Sequence, residues 1–264
     1  PDRVASLVEA AKRAGADAAD AVAVRSRSTS VTVRLGKVES TDASESDDVS
    51  LRVFVGQKVA SVSANAGADA AALAERAVAM ARVSPEDPYQ GLADANLLAR
   101  NIRDLDLLDL TTVSAADLTA QALAAEQAAM EVKGVTNSSG SSAGAGLGGL
   151  VLATSNGFVG QYAGSRFSRS VSVIAGEGTG MERDYDFSSC IHFSELERPE
   201  IIGRNAGERV VRRLNPRRIA TGTVNVVFDP RVARGMAGHL AGAINGAAVA
   251  RKTCAGAVLS SRTN

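Results

Sequence analysis

Residues 223–252 read TVNVVFDPRVARGMAGHLAGAINGAAVARK, and this stretch sets the expectations for the chain. Val224, Val226 and Phe228 alternate with Thr223, Asn225 and Val227, which is the period of a strand. Asp229-Pro230 then stops the strand and opens a helix. Asp is a good N-cap, and Pro is tolerated at the first helical position because that N–H has no partner anyway. Val232, Met236, Leu240, Ala243 and Ala247 give this helix one apolar stripe. Gly235, Gly238, Gly242 and Gly246 give it a second face almost without side chains. Glycine costs about 1 kcal/mol per residue in a helix interior relative to alanine. Four of them imply that another backbone or a ligand comes close to that face.

The rest of the composition bounds the class. The chain has 264 residues, 45% of them hydrophobic, enough for one large core or two modest ones. Its 29 basic and 29 acidic residues cancel, so charge gives no reason to expect nucleic acid or an anionic membrane as partner. Aromatics are only 3% and Trp is absent, which argues against stacking platforms for single strands. Two cysteines fit free thiols in a reducing, cytoplasmic setting rather than a disulfide scaffold. No apolar run reaches the roughly 18 residues of a membrane span. The N-terminus does not read as a signal peptide. It lacks an initiating Met, so the true start is expected upstream.

In chain order, residues 3–14 predict an amphipathic helix with Val4, Leu7, Val8 and Ala11 on one face. Strands are expected at 21–24, at 31–35, at 49–55 and at 59–63, with turns at Gly36-Lys37 and Gly56–Lys58. The acidic stretch 39–48 reads as an edge strand or a solvated loop. Residues 67–82 predict a second helix. Pro85 and Pro88 make 83–94 a connector. A long helix is expected over 115–132, capped by Ser114. TNSSGSSAGAGLGG, residues 136–149, reads as a flexible loop. It lacks the GxxxxGK[ST] pattern of a phosphate cradle. Strands resume at 151–154, 157–162 and 170–175, with Asn156-Gly157 as a hairpin signal. Residues 176–190 read as loop then strand. Residues 199–214 predict a helix whose end is crowded by Arg212, Arg213, Arg217 and Arg218, favourable at a helix C-terminus.

The expected fold class is α+β. An N-terminal helix and antiparallel-sheet layers precede a second β-rich portion, with a Gly-rich helix near the C-terminus. The expected segments are an N-terminal α/β domain over 1–110, a middle α+β segment over 111–220, and the start of a β-rich domain over 221–264.

Histidine is the scarcest catalytic resource, with only His192 and His239. If 183–193 is one strand, Asp184, Asp186, Cys190 and His192 share a face, opposite Tyr185, Phe187, Ile191 and Phe193. Two readings stand: a half-buried strand with one polar face, or a metal site without a supporting motif. No G-x-S-x-G nucleophile elbow is present. His239 reads as a surface or subunit-contact residue, or as a polar anchor for bound peptide.

Three segments carry a resemblance: SPEDPY at 84–89, GEGTGMERDYDF at 176–187 and FDPRVARGMAGHLAGAINGAAVARKT at 228–253. They resemble the PmbA (TldE) branch of the TldD/PmbA family, described as modulators of DNA gyrase and as metalloproteases. The likeness runs from about Val4 to Thr253. In the TldD branch the matching helix bears a zinc-binding His-Glu-x-x-x-His. Aligned here, the first histidine falls on Gly238, the glutamate on His239 and the second histidine on Ala243. Shifted by one, His239 takes the first position, but Leu240 and Ile244 take the others and the set stays broken.

The resemblance therefore implies no catalytic and no metal-binding residue on this chain. It implies zinc on a TldD-like partner, a heterodimer with that subunit or a homodimer, and a peptide substrate held in an inner cavity. Two further readings stay open: a divergent metallopeptidase using His192, Cys190 and His239, and a peptide-binding scaffold without turnover. Family members continue into a β-rich domain beyond the Gly-rich helix. This sequence stops at Asn264, and CAGAVLSSRTN, residues 254–264, does not match that continuation. A truncated or incomplete chain is expected.

Overall fold

The computed structural model describes residues 1–250, which fall into two compact units, 1–216 and the part from Arg217 onward. In the first unit β1 (Ala18–Arg34), β2 (Lys37–Val55) and β3 (Lys58–Asn65) form one antiparallel meander. β4 (Val135–Thr154), β5 (Val159–Ala175) and β6 (Glu182–Cys190) form another. β1 and β4 pair antiparallel and join the two into one six-stranded sheet, ordered β3-β2-β1-β4-β5-β6. The α+β expectation holds.

Strand alternation decides where the helices pack. Ala19, Ala21, Val31 and Val33 of β1 point to one face of the sheet, and all four are buried. The two ends of that face are covered separately. α1 (Asp2–Arg13) and α2 (Ala70–Val83) close over Ala19 and Ala21 together with Val49, Leu51, Val53 and Val62. α3 (Ala115–Met130) closes over Val31, Val33 and Ala143. With α4 (Pro199–Arg212), it also closes over Val171, Val173 and Ala175. Between these helical layers the same face carries Arg25 and Arg27, both exposed.

The helices start where their caps dictate. The Asp69 carboxylate accepts from the Ala72 N–H, and Ser114 and Asp117 form a reciprocal capping box. Pro199 opens α4. α3 and α4 touch backbone to backbone: a Cβ added at Gly203 would lie 2.2 Å from the Ala125 carbonyl oxygen. Glu126, 3% exposed, ties α3 to the β1–β2 turn. Its carboxylate accepts from the N–H groups of Leu35 at 2.9 Å and Gly36 at 2.8 Å, and from the Ser138 hydroxyl. Leu35 and Gly36 both have positive φ there, so the carboxylate holds a left-handed turn that leucine rarely adopts.

Several expectations need correction. The strands expected at 21–24 and 31–35 are one strand, because the polar run 25–30 is paired on both sides by β2 and β4. Residues 136–149 are not a loop but most of β4, held by β1 on one side and β5 on the other. β6 ends at Cys190, so 191–193 do not continue the strand. The acidic stretch is an edge strand: residues 38–47 pair with β1, and β3 begins only opposite Asp48.

In the second unit, residues 223–228 form no strand. A strand needs a neighbour to satisfy its backbone, and among the described residues none pairs with this segment. α5 (Pro230–Ala243) ends earlier than expected, and a short α6 (Gly246–Ala250) follows. The expected continuation to Lys252, and Cys254 with the final stretch, lie outside the described residues.

Two substitutions test these anchors. Glu126→Ala leaves two backbone donors without their carboxylate, and is expected to lower unfolding free energy by about 2–4 kcal/mol in urea titration. Gly203→Ala forces α3 and α4 apart and is expected to cost at least about 2 kcal/mol by the same measurement.

Candidate functional site

α5 is the helix that the sequence singled out. Asp229 caps it, accepting from the Arg231 N–H at 2.9 Å. Its apolar stripe is open: Val232, Met236 and Leu240 are all exposed. A Cβ added at Gly235, Gly238 or Gly242 would meet nothing within 4 Å. The glycine face therefore has room beside it among the described residues. Gly238 and His239 are exposed and Ala243 is half-buried. One imidazole, a glycine and an alanine supply a single metal donor where the TldD-type motif supplies two histidines and a glutamate.

The four-residue set on β6 does not converge. Asp184 and Asp186 face the helical layer and are buried. Arg209 of α4 pairs with Asp186 at 2.5 Å, and Arg213 lies 3.5 Å from Asp184 and 3.3 Å from Glu182. The polar face of β6 is thus the inner one, neutralised by arginines from the C-terminal end of α4. Tyr185 and Phe187 stack on the opposite face. The Cys190 thiol contacts the Glu195 carbonyl at 3.4 Å. His192, beyond the strand, turns away: its Nε2–H donates to the Asp106 carbonyl at 2.9 Å, with the Asp106 carboxylate at 3.4 Å. Among the described residues, no group of three or more His, Cys, Asp or Glu side chains converges to hold a metal ion.

The partner of His192 belongs to a segment whose role the sequence reading missed. Residues 98–113 have no regular structure and form a strap: 108–113 lie over the face between the two helical layers, and 102–107 run past the edge of β5. Ser165 of β5 is its main anchor. The Ser165 N–H donates to the Leu107 carbonyl at 2.9 Å, and its hydroxyl accepts from the Asp109 N–H at 2.8 Å. The same hydroxyl donates to the Ile191 carbonyl at 2.8 Å. The Asp109 carboxylate accepts from the N–H groups of Thr111 and Phe193, both at 2.8 Å. Hydrogen bonds from the Thr111 side chain, then from the Phe193 and Thr111 backbones, hold the Asp109 pKa below the usual carboxylate value. Arg169 secures the other side of the 193–197 turn. It lies over Phe193 and donates to Gln121 and to the Glu197 carbonyl, and burial lowers its guanidinium pKa.

Beneath the strap run two adjoining cavities of about 360 and 620 Å³ that share Arg27, Glu45, Leu110 and Leu147. Arg27 and Glu45 stand opposite each other on β1 and β2. The neighbouring Arg25 and Asp47 approach to 4.0 Å. One wall carries charges of both signs, and the strap contributes Leu108, Leu110 and Val113 beside Asp109, Thr111 and Thr112 to the other. Such a cleft can bind and orient a chain. The signal in the sequence was the alternation of Asp and Leu in DLDLLDL, residues 104–110, too short to read as an element.

The strap's attachment is expected to depend on pH. A carboxylate with a lowered folded pKa contributes stability that is present above its unfolded value, and that contribution is lost as pH falls through the folded one. Protection of the strap amides, measured against their intrinsic exchange rate at each pH, is therefore expected to fall only below about pH 3.8. Asp109→Ala is expected to remove that protection at neutral pH.

Comparison with known proteins accounts for this architecture. Residues 108–214 match the PmbA/TldA metallopeptidase central domain, and residues 19–81 match PmbA/TldA metallopeptidase domain 1. The chain is 35% identical over 253 residues to the metalloprotease PmbA homolog of Haemophilus influenzae, covering 95% of this chain and 56% of that protein. It is also 35% identical over 240 residues to metalloprotease PmbA of Escherichia coli O157:H7, covering 90% and 53%. The chain thus spans about half the length of these curated relatives. In fold it is similar to a putative modulator of DNA gyrase from Bacteroides thetaiotaomicron. That match has a TM-score of 0.88 and 24% identity, over 95% of this chain and 58% of that one. TldE from Thermococcus kodakarensis matches with a TM-score of 0.66 and 15% identity, over 79% and 47%. With both of its first two domains matched in order and curated relatives aligned along nearly its whole length, this chain belongs to the PmbA/TldD family.

Proposed function

We propose that this chain is a PmbA/TldE-like, non-catalytic subunit of a cytoplasmic metalloprotease complex that degrades or processes peptides and unfolded polypeptides. The observation that carries the reading is the substitution of the metal-and-base motif on α5 by Gly238, His239 and Ala243. A lone imidazole cannot fill the three or four positions of a zinc site. Zinc and the hydrolytic step then belong to a TldD-like partner, and this chain contributes binding surface. A homodimer is the other assembly consistent with the family. His239, exposed on α5, is a contact for bound peptide or for the partner. No described helix is long and apolar enough to cross a membrane, which fits this setting.

A divergent metallopeptidase built on His192, Cys190 and His239 is the less favoured reading. The His192 Nε2 and the Cys190 thiol are each engaged by a backbone carbonyl. A scaffold that captures peptide without turnover is the remaining alternative, and the cleft under the strap would serve it equally.

Native mass spectrometry and a peptidase assay on the purified chain separate these readings. The expected result is no stoichiometric zinc and no hydrolysis by the chain alone, with cleavage appearing when a zinc-loaded TldD-like subunit is added. Chelator-sensitive hydrolysis by the pure chain, lost in His192→Ala and His239→Ala, would overturn the proposal. Peptide bound and recovered intact even with the TldD-like subunit present would favour the scaffold.

A further inference from the structure

The ladder of the sheet stops short on the outer edge of β5. β5 is 17 residues long, but β6 pairs only with residues 167–175. Residues 159–166 have β4 on one side and no strand on the other. Ser165 directs its N–H outward, to Leu107. In an antiparallel strand every second residue faces the same way, so Val159, Gln161 and Ala163 also direct N–H and C=O outward. Among the described residues these outward groups meet no backbone partner.

The strap passes this edge at 102–108 without pairing along it, and a cavity of about 750 Å³ lies between them. Of its apolar lining, Ile102 is 58% exposed, Leu105 66% and Tyr162 57%, beside Arg103, Asp104, Asp106 and Gln161, and Val159 on the neighbouring edge is 55% exposed. Proteins commonly blunt an exposed edge with Lys, Pro or a bulge. The edge sequence VGQYA, residues 159–163, has neither Lys nor Pro, and its pairing with β4 has no register shift.

We propose that this slot binds an extended peptide, which adds to β5 as a further strand. Its backbone pairs with Val159, Gln161 and Ala163, and its apolar side chains lie among Ile102, Leu105 and Tyr162. Two features select this occupant. The free groups recur every second residue along an extended line, a spacing that another extended backbone matches and a compact apolar ligand does not. Residues 102–108 of the strap line the same cavity, so an added strand would lie between the strap and β5. The ligand class is an unfolded polypeptide stretch with apolar residues at alternate positions. This deepens the peptide-handling reading given above, but binding here needs neither metal nor partner subunit, so the two can fail separately.

The test is fluorescence anisotropy on the full chain, with a fluorescein-labelled peptide of alternating valine and threonine flanked by lysines. Saturable binding is expected. Methylating the peptide's alternate backbone nitrogens on its pairing edge should weaken binding by about tenfold or more, the effect of losing one or two hydrogen bonds. Gln161→Pro removes an outward N–H but no bond to β4, so it is expected to keep the fold by circular dichroism and to weaken binding to the same degree. Leu105→Asp alters only an exposed side chain on the strap and should also weaken binding, which decides the matter if Gln161→Pro does not fold. Absence of saturable binding, or equal affinity for the methylated peptide, would overturn the proposal. So would a concentration-dependent dimer that Gln161→Pro abolishes, since a second copy would then own the edge.

Discussion

β4 is held from both sides. Residues 141–153 pair with β1 along one edge and with β5 along the other, and everything else in the first unit hangs on that double ladder. The strand has little else to recommend it. Gly144, Gly146, Gly148 and Gly149 contribute no side chains, and glycine is a poor strand former. Serines line the neighbouring positions, with Ser26, Ser28 and Ser30 opposite Gly148, Gly146 and Gly144. Backbone hydrogen bonding rather than side-chain packing makes this the middle of a sheet. Without it the β1–β2–β3 meander and the β4–β5–β6 meander are separate pieces, each with only part of a core.

The double ladder also explains which parts of the fold were legible in the sequence. The capped, amphipathic helices were readable because their signals are local: Ser114 with Asp117, Pro199, and the Leu7–Ala11 face. The alternation Val49-Leu51-Val53 was readable for the same reason. β4 was not, since its conformation is imposed by partners more than 100 residues away, such as Val31 opposite Ala143. The opposite error occurred at 223–228. There the alternation is clear, but no described neighbour pairs with the segment. At the candidate site, the residues of α5 that stand where the resemblance places a metal motif, Gly238, His239 and Ala243, could be named from the sequence. The strap and its anchor at Ser165 could not, because no periodicity marks a segment held by turn-like contacts to its neighbours.

The helices sit on one face of the sheet in two separate groups, and the gap between them is where exposed charge and cavities gather. α1 with α2 and α3 with α4 each bury their own end of the long strands. The middle is left to Arg25, Arg27, Glu45 and Asp47, covered only by the strap. A sheet too long for one helical layer thus provides a groove without any special sequence motif. The same excess length leaves β5 extending past β6. Binding surface here follows from mismatched strand lengths.

The pairing of β1 with β4 also constrains how the chain can be made. Asp20 lies opposite Thr154, so the first strand is complete only after most of the unit has been synthesised. Until then the emerging chain can form the β1–β2–β3 meander with α1 and α2, while the inner edge of β1 stays unpaired. Long-range strand pairing of this kind is slow to form, and an unpaired edge invites association with other chains in the meantime. The run RSRSTS, residues 25–30, lies along the middle of that waiting edge. Two arginines and four hydroxyl residues are the kind of polar sequence that keeps an unpaired edge hydrated and disfavours wrong pairing.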